Sequence, residues 1–235
     1  MKFLIFLTLS FATIFADEYF ATLEPINTYS IKAATSGEVI FANKDIEGKY
    51  ASEAVIIKLD KTLNETELEL TKQKIKVLEQ MIEIEQRNYD RFKNLTSKSE
   101  FEKDAQKMKV LNYELQVGDL KTKVATLEET ISKKTIKEKN RFIYNIAVKE
   151  GDFVSSGTLL YETKDLSRAK LEIFIPIDKT DEYKKMAIYL DGARTNLKIS
   201  KIFKVADSKY ISSYKCEIVV PNPKKFSKLV KVEFR

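Results

Sequence analysis

Residues 148–162, VKEGDFVSSGTLLYE, repeat a pattern already met at residues 46–60, IEGKYASEAVIIKLD. Setting Gly151 over Gly48 aligns Glu150 with Glu47, Phe153 with Tyr50 and Ser155 with Ser52, and places Leu159-Leu160 on Ile56-Ile57. Each copy reads as strand, tight turn, strand. Gly48 and Gly151 stand where such a turn needs positive φ, a conformation that costs glycine little, and Gly37 and Gly157 mark further turns of the same two segments. A half-domain of this size leaves one apolar face uncovered. Two copies can bury those faces against each other, so the repeat predicts a pseudo-twofold β-sandwich whose halves are near in space and distant in sequence.

The sequence between the copies differs from everything around it. Residues 61–137 contain no proline and one glycine, Gly118, and are dense in Lys, Glu, Gln and Leu, a helical composition. Leu68, Ile75, Ile82 and Tyr89 recur every seven residues, with Leu78 and Phe92 in the intervening row and Thr71 and Glu85 interrupting it. Further on, Phe101, Ala105, Met108 and Leu115 are spaced 4, 3 and 7, and after a change of phase Val117, Leu120, Val124, Leu127 and Ile131 are spaced 3, 4, 3 and 4. These are narrow coiled-coil seams. The link NLTSKSEFE offers two capping boxes, Ser97 with Glu100 and Ser99 with Glu102, and Thr62–Glu65 and Asn64–Glu67 offer the same at the first helix. Two helices with one stripe each and a short polar link predict an antiparallel hairpin, an arm about 50 Å long at 1.5 Å per residue.

The ends and the composition exclude much. MKFLIFLTLSFATIFA has an early Lys2, an apolar run too short to span a bilayer, and Ala16 before Asp17-Glu18. It reads as a cleaved signal peptide, residues 1–16, which makes the mature chain an exported one. The chain has no histidine, which removes Ser-His-Asp and Cys-His catalysis and His-ligated zinc or copper. Its single cysteine, Cys216, sits in the alternating run YKCEIVV, cannot form an internal disulfide, and is read as a half-buried strand residue. Met81, Met108 and Met186 are too scattered for a thioether copper site, and no cofactor or metal is expected. The formal charge of +6, which falls to +5 without Lys2, is diluted over alternating Lys and Glu rather than gathered in a basic stripe, so nucleic acid is not an expected partner. Beyond Leu166, short alternating strands with turns at Asp191-Gly192 and Pro221-Asn222-Pro223 predict an antiparallel barrel.

The resulting order is a leader (1–16), an N-terminal segment (17–29) able to add a strand to the barrel, a first half-motif (30–60), the helical hairpin (61–137), a second half-motif (138–166) and a β-barrel domain (167–235). It resembles the periplasmic adaptor family, also called membrane fusion or HlyD-like proteins, of bacterial tripartite efflux pumps. AATSGEVIFANKDIEGK resembles the family's first lipoyl half, with Ala54 in place of its second glycine, and VKEGDFVSSGTLLYETKDLSRAKLEIFIP resembles the second half and the entry to the barrel. DGARTNLKISKIFKVAD and CEIVVPNPKKFSKLVKVEF are similar to later barrel strands. The resemblance implies a mostly β fold: a lipoyl-like β-sandwich split by an inserted α-helical coiled-coil hairpin and followed by a β-barrel.

It also implies a docking site. In that family the hairpin tip meets a TolC-like outer-membrane channel through an arginine, a leucine four residues later and a Ser-Lys-x-Glu-aromatic run. Arg91 and Leu95 have that spacing, and Ser97, Lys98, Glu100 and Phe101 match the run, although Ser97 follows Leu95 closely, as in a shortened tip. A guanidinium offers several donors to partner carbonyls, and a leucine beside it gives a small apolar anchor. From the residues alone the favoured reading is structural, with Arg91 a solvated helix residue, Leu95 the end of a seam and Ser97 a cap; the resemblance is what favours docking. The implied role is a non-enzymatic, ring-forming periplasmic adaptor between an inner-membrane transporter, an RND pump being favoured, and that channel. An ABC or major-facilitator exporter is the alternative partner. Two other classes stand beside it, a lipoyl or biotinyl carrier subunit and a structural coiled-coil protein. The carrier is disfavoured because Lys58 and Lys61, in IIKLDKT, lack the usual setting of a modified lysine.

Overall fold

The computed structural model describes residues 17–205 and 209–235, and the expected signal peptide, 1–16, lies outside the described residues. Strands β1 (Asp17–Thr22), β2 (Glu24–Lys32), β3 (Gly37–Ala42) and β4 (Ala54–Leu59) precede two long helices, α1 (Thr62–Lys93) and α2 (Glu100–Lys133). Then follow β5 (Thr135–Glu138), β6 (Phe142–Ile146), β7 (Phe153–Val154) and the long β8 (Leu159–Pro176). A short helix α3 (Thr180–Tyr183) leads to β9 (Ile188–Leu190), β10 (Ala193–Arg194), β11 (Ile199–Ile202), β12 (Ser213–Pro221) and β13 (Leu229–Phe234). The chain is thus mostly β with one long helical hairpin. It divides into two compact units, residues 30–163 and the segments flanking them.

In unit 30–163 the two glycine turns bind each other's strands in the same way. The Gly48 N–H donates to the Ile143 carbonyl (2.9 Å) and the Ile143 N–H to Lys49 (2.9 Å). In the second copy the Gly151 N–H donates to Val39 (2.9 Å) and the Val39 N–H to Asp152 (2.8 Å). Gly48 and Gly151 have φ of +77° and +85°, which a side chain would strain. Gly37 differs from the expected turn: it opens β3 without positive φ, and a Cβ there would lie 3.4 Å from that of Leu59, so close packing is what it permits. The sheet β5-β4-β3-β7 therefore mixes strands from before and after the helices. Ile56 and Ile57 of the first copy pack with Val154 and Leu160 of the second, together with Val39 and Ile143, in one buried cluster. Burying each such side chain is worth about 1.5–3 kcal/mol, which neither half could gain alone.

The helices are antiparallel neighbours, tied in the half away from the tip by Lys72–Glu128 (2.8 Å), Lys121–Glu79 (3.4 Å) and Lys123–Glu67 (2.6 Å). These exposed pairs stabilise little; the seam holds the arm. On α1 it is the expected one. Ile75 and Thr71 are buried, and Leu68, Leu78, Ile82, Glu85, Tyr89 and Phe92 are half-buried. On α2 the distal half differs from expectation. Phe101, Ala105, Met108 and Leu115 face water, and the seam runs without change of phase through Gln106, Val110, Tyr113, Val117, Leu120, Val124 and Leu127. Gln106 holds its place by donating to the Glu85 carboxylate across the seam. Neither capping box expected at α1, Thr62–Glu65 or Asn64–Glu67, forms. Asp60 instead accepts from the Thr62 N–H (3.0 Å) and hydroxyl (2.7 Å). Helix α2 stops at Lys133, short of residue 137, because Ile136 of β5 packs on the β-core.

The flanking unit, residues 17–29 and 164–235, contains the sheet β1-β13-β9-β10 and the strands β11-β12-β8 in order, with β2 beyond β8. Among the described residues these pairings do not close into a barrel. Strand β1 runs antiparallel beside β13, Asp17 opposite Phe234 and Thr22 opposite Leu229. Inward-facing Leu171, Ile173, Ile175, Ile218, Val232 and Phe234 form its core. Cys216 is fully buried there rather than half-buried, and burial pushes its thiol up to about 11. Tyr183, Tyr19 and Phe234 meet edge to face, and Tyr183 donates to the Asp17 carboxylate.

Candidate docking surface at the hairpin tip

The tip is the connection from Lys93 to Glu100, and its geometry begins with backbone bonds. The Asn94 N–H donates to Arg91 (3.3 Å), Leu95 to Phe92 (3.1 Å) and Lys98 to Leu95 (3.4 Å), so the chain reverses in a tight, self-bonded turn. Of the two possible capping boxes, the structure uses Ser99 with Glu102. The Glu102 N–H donates to the Ser99 hydroxyl (3.3 Å) while the Ser99 N–H donates to the Glu102 carboxylate (3.0 Å). Ser97 does not cap; it lies exposed in the turn.

Lys98 supports this cap. Its ammonium reaches Glu102 (2.8 Å) and sits 4.9 Å from the centre of the Phe92 ring, joining the last turn of α1 to the first of α2. The Lys98 ammonium, then the Ser99 N–H and hydroxyl, hold the Glu102 carboxyl down at about 2. Glu100, exposed, pairs with Lys103 (2.8 Å) one turn on. The tip is stiffened by Lys98, Ser99 and Glu102 and presents the rest.

What it presents is Arg91, Leu95, Ser97 and Phe101. The Arg91 guanidinium is exposed and makes no ion pair or hydrogen bond among the described residues. Leu95 is 45 % exposed and Phe101 83 %. The tip thus exposes an unengaged fork of donors and two uncovered apolar side chains. Sequence reasoning missed two parts of it, the Lys98–Glu102 clamp on Phe92 and the continuation of the apolar surface from Phe101 along the outer face of α2 through Met108 and Leu115. The seven-residue spacing of Phe101, Met108 and Leu115 carries that signal, but the same spacing also fits a seam.

No group of three or more Asp, Glu or Cys side chains fit to hold a metal occurs among the described residues. No described helix is long and apolar enough to cross a membrane.

No protein-family model and no curated protein matches the sequence. Solved structures do share the fold. The membrane fusion protein Spr0693 from Streptococcus pneumoniae R6 is 9 % identical with a TM-score of 0.72, over 93 % of this chain and 98 % of that one. MacA from Actinobacillus actinomycetemcomitans is 14 % identical with a TM-score of 0.67, over 94 % and 78 %. The periplasmic adaptor protein EmrA is 14 % identical with a TM-score of 0.51, over 93 % and 98 %. The chain has the fold of membrane fusion and periplasmic adaptor proteins.

Proposed function

We propose that the protein is a non-enzymatic periplasmic adaptor of an efflux system, joining an inner-membrane transporter to a TolC-like outer-membrane channel. The observation that carries this reading is the arm itself: a two-helix rod about 50 Å long whose stiffened end exposes Arg91, Leu95 and Phe101. A rod that buries little and ends in uncovered contact residues is a reaching device. Copies of the chain associate into a ring, with the arms directed at the channel. Likeness in fold to a membrane fusion protein and to a periplasmic adaptor protein supports the assignment. The short leader, read as a cleaved signal peptide rather than a membrane anchor, favours an RND pump as the transporter.

The test replaces the contact residues and leaves the cap alone. Arg91→Ala and Leu95→Ala change exposed side chains, so stability should move by less than about 0.5 kcal/mol, while export of the toxic compound and co-purification with the channel should fall together. Wild-type tolerance in cells carrying the double variant at normal abundance overturns the tip assignment. Intact mass of the exported protein tests the carrier alternative, which requires an added lipoyl or biotinyl group.

A further inference from the structure

The arm leaves the sandwich through two short legs, and one buried lysine joins them. Strand β4 ends at Leu59 and α1 begins at Thr62, while α2 ends at Lys133 and β5 begins at Thr135. Only Asp60, Lys61 and Lys134 turn the chain between sheet and rod. Backbone bonds fasten the strand side of this root. The Leu59 N–H donates to the Lys134 carbonyl (2.8 Å) and the Asp60 N–H to the Glu38 carbonyl (2.8 Å).

Lys134 is 7 % exposed, and a lysine so deeply buried is ordinarily paired with a carboxylate. Its ammonium instead donates to the Asp60 carbonyl (2.7 Å) and makes no ion pair among the described residues. A charge withdrawn from water with so little in return is unfavourable, so an apolar side chain would serve packing better. What the lysine adds is a crossing, from the C-cap of α2 to the residue that caps α1. The Asp60 carboxylate accepts from the Thr62 N–H (3.0 Å) and hydroxyl (2.7 Å); those bonds, and with them the Lys134 charge, hold its carboxyl below the ordinary range. The ammonium also stands at the C-terminal end of α2, where the helix dipole favours a cation. A Cβ at Gly37 would lie 3.5 Å from the ammonium and 3.6 Å from the Asp60 carbonyl oxygen, so the start of β3 packs directly on this crossing.

We propose that Lys134 is a positioning residue: through the Asp60 carbonyl it locks the two legs together and fixes the direction in which the arm leaves the sandwich. The lever is long. In an arm about 50 Å in length, a swing of about 10° at the root displaces the tip by about 9 Å. That is more than one helical turn, enough to carry Arg91 and Leu95 off a contact. The consequence for export rests on the adaptor reading; the direction of the arm does not.

The experiment places nitroxide labels at two exposed positions, Glu114→Cys on the arm and Glu150→Cys on the sandwich, in a Cys216→Ala background. Pulsed electron–electron resonance then reads the distribution of distances between them. Glu114 lies about 30 Å along the arm from Lys134, so a swing of about 10° moves its label by about 5 Å. With Lys134 in place the distribution should be narrow. Lys134→Met keeps the packed stem and removes only a buried charge, so the chain should fold while the distribution broadens by about that amount. Lys134→Arg, which keeps a charged donor, should narrow it again. A second pair on the arm alone, Glu69→Cys with Glu114→Cys, should not change. Equal widths in wild type and the methionine variant overturn the proposal. So does broadening of the arm-only pair, which would assign Lys134 to helix stability. Export of the toxic compound should fall in the methionine variant; a broadened distribution with export intact leaves the clamp in place and counts against the adaptor reading instead.

Discussion

Ser99 and Glu102 decide whether the tip is rigid. Each satisfies the other's backbone N–H, and Lys98 binds Glu102 from the side. Ser99→Ala should therefore cost about 1 kcal/mol and loosen the first turn of α2 without touching Arg91 or Leu95. The box also has a pH dependence of definite sign. The Glu102 carboxyl titrates at about 2 when folded against an ordinary 4.5. Its contribution is fully present above 4.5 and is lost as the pH falls towards about 2. Protection factors of the amides at the start of α2, taken relative to intrinsic exchange at each pH, should fall over that interval, and Glu102→Ala should remove the change while staying weakly protected throughout. Unchanged protection down to pH 2 in the wild type would show that the cap does not hold the tip.

The seam between α1 and α2 shows where the sequence could be read and where it could not. On α1 the heptad reading was correct down to its interruptions: Thr71 is buried because its hydroxyl donates to the Glu67 carbonyl (2.7 Å), and Glu85 is used by Gln106. On the distal half of α2 the apolar residues mark the outer face, and the true seam contains a glutamine, so a search for apolar periodicity selects the wrong side. The tip residues were legible as a spacing. Which serine caps was not, because both boxes fit the sequence and only the length of the turn separates them. The buried polar pair fixes alignment at some expense in stability. Gln106→Ala should leave the half-buried Glu85 carboxylate without its cross-seam partner and destabilise the chain by about 1–2 kcal/mol. Glu85→Leu with Gln106→Leu should restore or exceed wild-type stability while allowing the helices to slip. Urea midpoints separate these outcomes, and a single Gln106→Ala variant as stable as wild type would rule out a structural role for the pair.

Across the whole chain, both sides of the hairpin contribute to every sheet. Strand β1 pairs with β13, β3 with β7 and β4 with β5, and α1 lies along α2. The repeated glycine turns made part of this readable in advance, since matching half-motifs need each other. The pairing of the first and last strands was harder to read, because nothing in DEYFAT names LVKVEF as its partner. Such distant pairings must form after long loops have closed, so they slow folding. They also predict how the protein answers a cut. Cleaving one peptide bond in the connection 94–98 divides the chain into a fragment with β1–β4 and α1 and a fragment with α2 and β5–β13. No sheet is complete within either fragment alone, so the two should stay together at micromolar concentration and co-elute as one species, separating only in denaturant. The cut makes folding bimolecular, so the unfolding midpoint should become concentration-dependent where the intact chain's is not. Fragments that part in native buffer would mean that the halves on either side of the arm do not share their cores.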